Sequence, residues 1–518
     1  MSTTTYSTAF QSEHAEEADE VLPSSSRREL QQDLRSKRRT MSPRVAVALI
    51  AVAGLGIRLI IVRGFWLDEA TEADYGKHSF GTMLTEISHD NHPPLHYILI
   101  WLIEHFVGTG EFGLRVPSIV FGTLTIPMMY LAGRALYNQS AGVLAALFTA
   151  VSPLGVWYSQ EARMYALFML LAAVTIWAQA QILKTGRKGY WVAWASASAA
   201  MIWSQWFAML CVATEVAVFL WAIYGRRRDG IPVRALFKRF LLAVACVIVV
   251  VLPGIPLLLT QFSNNQANGL GLSGPASITF SSVSPYGIFN NLIWALWGYH
   301  SNSVVDDAVA IWPLGILALF LILGRRRSRS NGMLLAIALV PMGLIFVGSV
   351  MQAQGRSLFE VRYFIEAIPA LLLLIAGACT TMTPSHLARR VAVSGIVAVM
   401  ALGLVLQQTD SGNSRLYGYE WAFSQINAAA KPGDRILYDP SFLNVDVNYF
   451  SPEITAFPLS KGEKGLSTSS KLFLVGSFPF SESQSEQAAA NRAVINFEQH
   501  RQLLRILRAP NVVVWEFS

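Results

Sequence analysis

The chain has 518 residues, 53% of them hydrophobic and only 14% charged, with a mean hydropathy of +0.41. Soluble domains carry about 25% charged residues, and apolar runs here approach the ~20 residues that cross hydrocarbon. The chain is therefore a multi-span α-helical membrane protein, which excludes a cytoplasmic enzyme, a secreted disulfide scaffold and a β-barrel of alternating strands. Its net charge of +7 sits in short basic clusters between apolar runs. That is a topology signal, not a nucleic-acid surface. Cys211, Cys246 and Cys379 all lie inside apolar runs and read as small buried residues.

Residues 1–44 are polar, with an acidic block (Glu13, Glu16, Glu17, Asp19, Glu20) ahead of a basic one (Arg35, Lys37, Arg38, Arg39, Arg44). Without apolar periodicity this segment is expected to be a disordered tail. The basic block beside the first apolar run predicts a cytoplasmic amino terminus. No signal peptide is expected, because the first apolar run follows the tail and is long enough to stay in the bilayer. Expected spans are 43–63, 116–133, 140–158, 160–183, 190–204, 207–224, 239–260, 305–324, 332–351, 363–381 and 391–407, about eleven in all. The basic residues at Arg134, Lys184 to Lys188, Arg226 to Arg228, Arg325 to Arg327 and Arg389 with Arg390 then share the cytoplasmic side. This parity holds only if 95–107 fails to cross and 286–300 lies at the interface. Residues 45–407 form the transmembrane domain, which shows no internal repeat of the kind many transporters carry.

The remainder, 408–518, changes character. Pro432-Gly433-Asp434 reads as a turn into a strand Arg435–Tyr438; Lys471–Val475 and Val512–Phe517 read as further strands, and 484–507 as an amphipathic helix. The expectation is a small extracytoplasmic α/β domain.

Ionisable residues concentrate in the outer loops, above all in 64–115, which holds Asp68, Glu69, Glu72, Asp74, His78, Glu86, His89, Asp90, His92 and His96. Charges at membrane depth are costly unless they pair or line a hydrated cavity. In Trp66-Leu67-Asp68-Glu69-Ala70 the two carboxylates cannot point the same way, so one can face a cavity while the other orients partners; an exposed acidic loop start is the bland alternative. His92-Pro93-Pro94 makes an extended re-entry point at which His92 could hydrogen-bond a phosphate. His92 and His96, at i and i+4, could also share a metal, but prolines fill the turn between them, and no metal site is expected. Tyr158-Ser159-Gln160-Glu161-Ala162-Arg163-Met164-Tyr165 offers a guanidinium and helix-start N–H groups to an anion, or else an internal Glu–Arg pair. Val361-Arg362-Tyr363-Phe364 adds a second Arg-Tyr pair at an outer helix start, where Arg362 could also be an interface anchor.

Taken in order, the Asp-Glu pair after the first span, His-Pro-Pro-Leu, Arg115-x-Pro117-Ser118, Ser152-Pro153 with SQEARMY, and VRYF ahead of Pro369 resemble the GT-C glycosyltransferases over about residues 43–380. More narrowly the pattern is similar to the family of protein O-mannosyltransferases and the lipid A aminoarabinose transferase. Many relatives carry a His-Tyr pair near position 205, where this chain has Gln205-Trp206-Phe207. The resemblance implies a GT-C fold in the plasma (inner) membrane and a polyprenyl-phosphate-linked sugar donor used on the outer face. It also implies a cell-envelope acceptor (protein, lipid or glycan). Asp68, matching the family's acid, would be the general base, with Glu69 orienting it or the acceptor. Arg163 and Arg362 would stabilise the departing phosphate, and Tyr165 and Tyr363 would bind phosphate or the head group. A monophosphate leaving group needs no divalent metal or other cofactor, and a single displacement inverts the anomeric centre. The rival reading is a transporter or flippase of anionic lipid-linked sugars, which would need no base at Asp68.

Overall fold

The structure, a computed structural model, describes residues 41–61, 63–107, 110–267, 294, 297–298, 329–351, 361–381, 385–410, 413, 416–439, 443–461, 470–477 and 484–518. The expected tail, the span 305–324 and almost all of 286–300 lie outside the described residues.

The amino-terminal half is a run of helices: α1 (Pro43–Leu59), α2 (Leu67–Lys77), α3 (Phe80–Ile87), α4 (Leu95–Phe106), α5 (Glu111–Leu136), α6 (Gln139–Ala150), α7 (Pro153–Ser159), α8 (Tyr165–Thr185), α9 (Lys188–Ser204), α10 (Ala208–Arg228), α11 (Arg234–Val251) and α12 (Ile255–Ala267). After them come α13 (Arg329–Met351), α14 (Ala367–Thr381) and α15 (His386–Thr409). Among the described residues, six helical segments are long and apolar enough to cross a membrane. They are α5, α8, α10, the continuous α11–α12 segment, α13 and α15. The expected span 140–158 is a bent pair instead, α6 and α7 meeting at 58°. Pro153 has no N–H to continue the α6 ladder, and Ser152 restarts the helix by accepting the Gly155 N–H at 3.3 Å. Likewise 160–183 becomes helical only from Tyr165, which leaves residues 160–164 as a turn. Residues 95–106 form a twelve-residue helix, about 18 Å long at 1.5 Å per residue and too short to span.

Core packing explains the bundle's polar exceptions. Glu215 of α10 is buried between helices and accepts from Thr175 (2.5 Å) and Trp194 Nε1 (2.6 Å), while Gln179 donates to its backbone carbonyl (3.0 Å). Each hydrogen bond replaces one that water would otherwise supply. Arg58 is fully buried and donates to Ser159 Oγ and to the carbonyls of Gly54, Thr149 and Ala150, tying α1 to the α6–α7 bend. Gly122 of α5 permits that approach, since a Cβ there would sit 1.9 Å from Ser159 Oγ.

The carboxyl-terminal portion comprises α16 (Tyr419–Ala429), β1 (Arg435–Asp439), α17 (Asn444–Phe450), β2 (Thr455–Pro458), β3 (Leu472–Ser477), α18 (Gln484–Glu498), β4 (Leu503–Ala509) and β5 (Val512–Phe517). The sheet order is β2-β1-β3-β5-β4, parallel on the β2-β1-β3 side and antiparallel at β3-β5-β4. Period-2 alternation places Ile436, Tyr438, Phe473 and Val475 against α16 and α17 on one face. Leu437, Leu472 and Leu474 meet Phe497 of α18 on the other. The expected helix 484–507 is thus corrected: it ends at Glu498, and Leu503–Ala509 is a strand. Pro510 and Asn511, whose φ of 58° is left-handed, make the tight turn that folds β4 back on β5. Residues 47–518 form one compact unit, with the sheet domain docked on the start of α2. At the seam a Cβ on Gly64 would lie 2.5 Å from Glu420 Oε2.

Candidate active site

Helix α2 starts directly after Trp66 and carries Asp68, Glu69 and Glu72 in its first two turns. Positions i and i+4 share a helix face and i+1 turns about 100° away, so Asp68 and Glu72 point together and Glu69 points elsewhere. The structure gives each carboxylate a separate task. Glu69 is fully buried and takes Arg115 in a two-pronged pair, Nε to Oε1 and Nη2 to Oε2, both 2.9 Å. Its Oε1 also accepts the Ala162 N–H at 2.8 Å. Arg115 uses its remaining donors on the carbonyls of Arg63 and Gly64. Glu69 therefore joins three segments and does not face solvent.

Glu72, equally buried, accepts from Arg163 Nη1 at 2.5 Å and lies 2.6 Å from His96 Nδ1. Asp68 differs. Its side chain keeps 27% exposure, and its Oδ2 lies 3.6 Å from Arg163 Nη2 and 3.7 Å from Arg362 Nη1. These distances are long for hydrogen bonds, so the carboxylate sits in the field of two guanidinium groups without being closed off by either.

The SQEARMY turn supplies the next layer. Glu161 accepts from Arg63 (3.1 Å) and from Trp157 Nε1 (2.8 Å), and the Arg63 guanidinium also lies 3.5 Å over the Trp157 ring. Gln160 donates to the Ile60 carbonyl (2.7 Å) and accepts from Gln408 of α15 (3.0 Å). Tyr165, the first residue of α8, packs on Tyr158 with ring centroids 4.6 Å apart. Tyr363 packs on Phe207 at 5.0 Å and carries Arg362 over its ring at 5.1 Å. A narrow cleft opens here, lined by Trp157, Tyr158 and Tyr165 from the bundle, by Glu161 and Arg362, and by Trp66 and Tyr417.

Asp68, Arg163, Tyr165, Arg362 and Tyr363 are thus drawn into one neighbourhood. His92 pairs with Asp90 at 3.4 Å, and its backbone carbonyl accepts from Gln261 at 2.8 Å. Burial pushes the Asp90 carboxyl up, but hydrogen bonds from His92 and Tyr97 outweigh it and hold the group below its ordinary value of 3.8. The loop histidines do not converge: His96 meets Glu72, and His89 faces Asn264. Among the described residues no group of three or more His, Cys, Asp or Glu side chains is arranged to hold a metal ion. Arg63 and Tyr417 carry no signal in the sequence, while Glu72 stands there only among the ionisable residues of the first loop and Arg115 only as part of the Arg-x-Pro-Ser motif, neither with a role in the site. The i, i+4 relation of Asp68 to Glu72 is the signal that could have given Glu72 its role.

Comparison with solved structures decides the architecture. ArnT from Cupriavidus metallidurans, in its undecaprenyl phosphate complex, superposes with a TM-score of 0.54 at 14% identity, covering 91% of this chain and 97% of that one. The chain has the GT-C fold. The Archaeoglobus fulgidus oligosaccharyltransferase in its apo form gives a TM-score of 0.54 at 11% identity, covering 85% of this chain and 70% of that chain. Residues 91–256 of this GT-C chain match the dolichyl-phosphate-mannose-protein mannosyltransferase family, a stretch that includes Arg115 and Arg163 but neither Asp68 nor Arg362. No curated protein sequence matches the chain.

Proposed function

We propose that the protein is a membrane glycosyltransferase that moves a sugar from a polyprenyl-phosphate donor to a hydroxyl of a cell-envelope acceptor, with inversion. The observation that carries this reading is the partly open Asp68 carboxylate lying between Arg163 and Arg362. Asp68 accepts the proton of the acceptor hydroxyl as that oxygen attacks the anomeric carbon. The bond from that carbon to the phosphate oxygen breaks, and its electron pair leaves with the lipid phosphate. The two guanidinium groups then meet the charge that develops on the leaving oxygen. Glu69 and Glu72 act through others: Glu69 fixes Arg115 and the Ala162 turn, and Glu72 aims Arg163. Tyr165 lines the cleft with Arg362 and Tyr363 packs under the Arg362 guanidinium, and His92, held by Asp90, lies at the re-entry loop as a further phosphate contact. The solved neighbour with bound undecaprenyl phosphate supports a lipid-phosphate donor, and the sugar is a hexose or pentose.

The site faces the outer side of the inner membrane in this reading. Helices α5, α8 and α10 begin near the cleft and end at Arg134, Lys184 and Arg226 to Arg228, respectively. Positive-inside topology assigns those ends to the cytoplasm, and the sheet domain with the site to the outside. The test is transfer from a panel of radiolabelled polyprenyl-phosphate sugars to envelope acceptors by purified protein in nanodiscs. Wild type is expected to transfer label, and Asp68→Asn to be slower by about 10²–10⁴-fold while staying folded. Full activity in Asp68→Asn would remove the base from Asp68. A wild type that moves the lipid across bilayers without transferring sugar would establish the transporter reading.

A further inference from the structure

Tyr417 brings the carboxyl-terminal portion to the cleft, and the seam between that portion and α2 contains buried polar atoms with no hydrogen-bond partner on another residue. Asp446, on α17, is fully buried, and neither of its carboxyl oxygens has a hydrogen-bond partner on another residue. Helix α17 packs against α2, and the charge that acts on Asp446 is the Asp68 carboxylate, which adds to burial in raising the Asp446 carboxyl well above its ordinary value of 3.8. Trp66 stands at the same seam. Its ring stacks on Tyr417 at 5.6 Å and 9°, it packs against the core formed by Tyr419, Leu443 and Val447, and its buried Nε1 also lacks a partner. Tyr417 stacks in turn on Tyr419 at 5.5 Å and 7°, and Tyr419 is turned away to Ser477 at 2.7 Å.

Buried polar groups are almost always satisfied, and an orphan calls for an explanation such as a ligand. Here an indole N–H donor and a flat aromatic stack line the cleft at Trp66 and Tyr417, and a carboxyl that can both donate and accept is buried on the neighbouring α17, which packs against the helix that carries the Asp68 base. That combination suits a hydroxyl on a saturated ring or chain. We propose that the sheet domain completes the active site through a hydroxyl-recognition subsite, with Asp446 and Trp66 Nε1 binding a hydroxyl of the sugar or of the acceptor. This inference rests on the glycosyltransferase reading above. Both residues are positioning residues, since Asp68 does the proton transfer.

The experiment measures transfer kinetics and thermal stability together for wild type, Asp446→Leu, Asp446→Asn and Trp66→Phe in nanodiscs. Asp446→Leu removes a buried unpaired carboxyl for a side chain of similar size, so its Tm is expected to rise while kcat/KM falls by about tenfold or more. Asp446→Asn, which keeps one donor and one acceptor, is expected to retain more activity than Asp446→Leu. Trp66→Phe, which keeps the stack and loses the N–H, is expected to lose several-fold. A rise confined to the donor KM assigns the hydroxyl to the sugar, and one confined to the acceptor KM assigns it to the acceptor. Wild-type kinetics in Asp446→Leu and Trp66→Phe, beside an active wild type, would overturn the subsite and leave the transferase reading intact. A fall of Tm and activity in parallel would make Asp446 structural and overturn it equally. An inactive wild type would remove the transferase reading itself. Should Asp446→Leu fail to fold, Asp446→Asn and Trp66→Phe decide the question on the same readouts.

Discussion

On the bundle side of the α2 seam, Glu69 and Glu72 are fully occupied by Arg115, Ala162, Arg163 and His96, whereas on the sheet-domain side the Asp446 carboxyl has no hydrogen-bond partner on another residue. Both sets of carboxyls are buried, so burial alone does not tell a strut from a binding group. Satisfaction does. A paired carboxylate fixes geometry and has nothing left to offer a substrate, while an unpaired one is destabilising until something arrives to pair with it. Asp68 stands between these extremes, close to two guanidinium groups yet partly exposed.

The comparison breaks most visibly at Glu69. Removing one partner of a buried ion pair costs about 3–5 kcal/mol, because the other charge is stranded. Glu69→Gln is therefore expected to lower Tm and membrane expression sharply, as measured by thermal shift and by yield of folded protein. A variant with normal stability would show that Arg115 is held by the carbonyls of Arg63 and Gly64 alone.

The two arginines sharpen it next. Arg163 donates to Glu72 and neighbours Asp68, whereas Arg362, 13% exposed, reaches Asp68 from a less buried position. Lysine keeps the charge and loses the planar fork. Arg362→Lys is expected to lower kcat by about tenfold with stability unchanged, since the lost contact strengthens only as the phosphate leaves. Arg163→Lys is expected to lose both kcat and Tm. If the two variants behave alike, the division between strut and leaving-group contact is wrong.

The smallest effect is on pH. Asp90 titrates below its ordinary value of 3.8 in the folded protein and Asp446 above it. A depressed carboxyl stabilises the fold above its unfolded pKa, and that contribution is lost as pH falls through the folded pKa. A raised carboxyl does the reverse, and stability declines as pH climbs from about 4 toward the folded pKa. Asp446→Asn is thus expected to be more stable than wild type at pH 7, with the gap closing toward pH 4. Asp90→Asn is expected to be less stable at pH 7, with its gap closing only below pH 4. Melting curves across pH 3–8 check both, and parallel curves for all three proteins would remove the distinction.

Hydropathy and charge made the membrane bundle, the basic helix ends and the acidic first loop legible from the chain alone, because each is a local property of consecutive residues. The ordered motifs around Asp68, Arg163 and Arg362 pointed to the GT-C fold for a similar reason: each is a short segment at a helix start. Pro153 and Pro510 were equally visible, yet the bend between α6 and α7 and the reversal into β5 emerged only from the fold, since a proline forbids a ladder bond without saying where the chain goes next. The partners of the acidic residues lay further out of reach. Glu69 and Arg115 are 46 positions apart and Glu72 and Arg163 are 91, and nothing in either neighbourhood specifies the other. Asp446 was illegible altogether, because in sequence it is one acidic residue in a short amphipathic helix. Only the docking of the sheet domain on α2 buries it beside Asp68 and leaves it unpaired, and whether a polar group is satisfied is a property of the assembled tertiary structure.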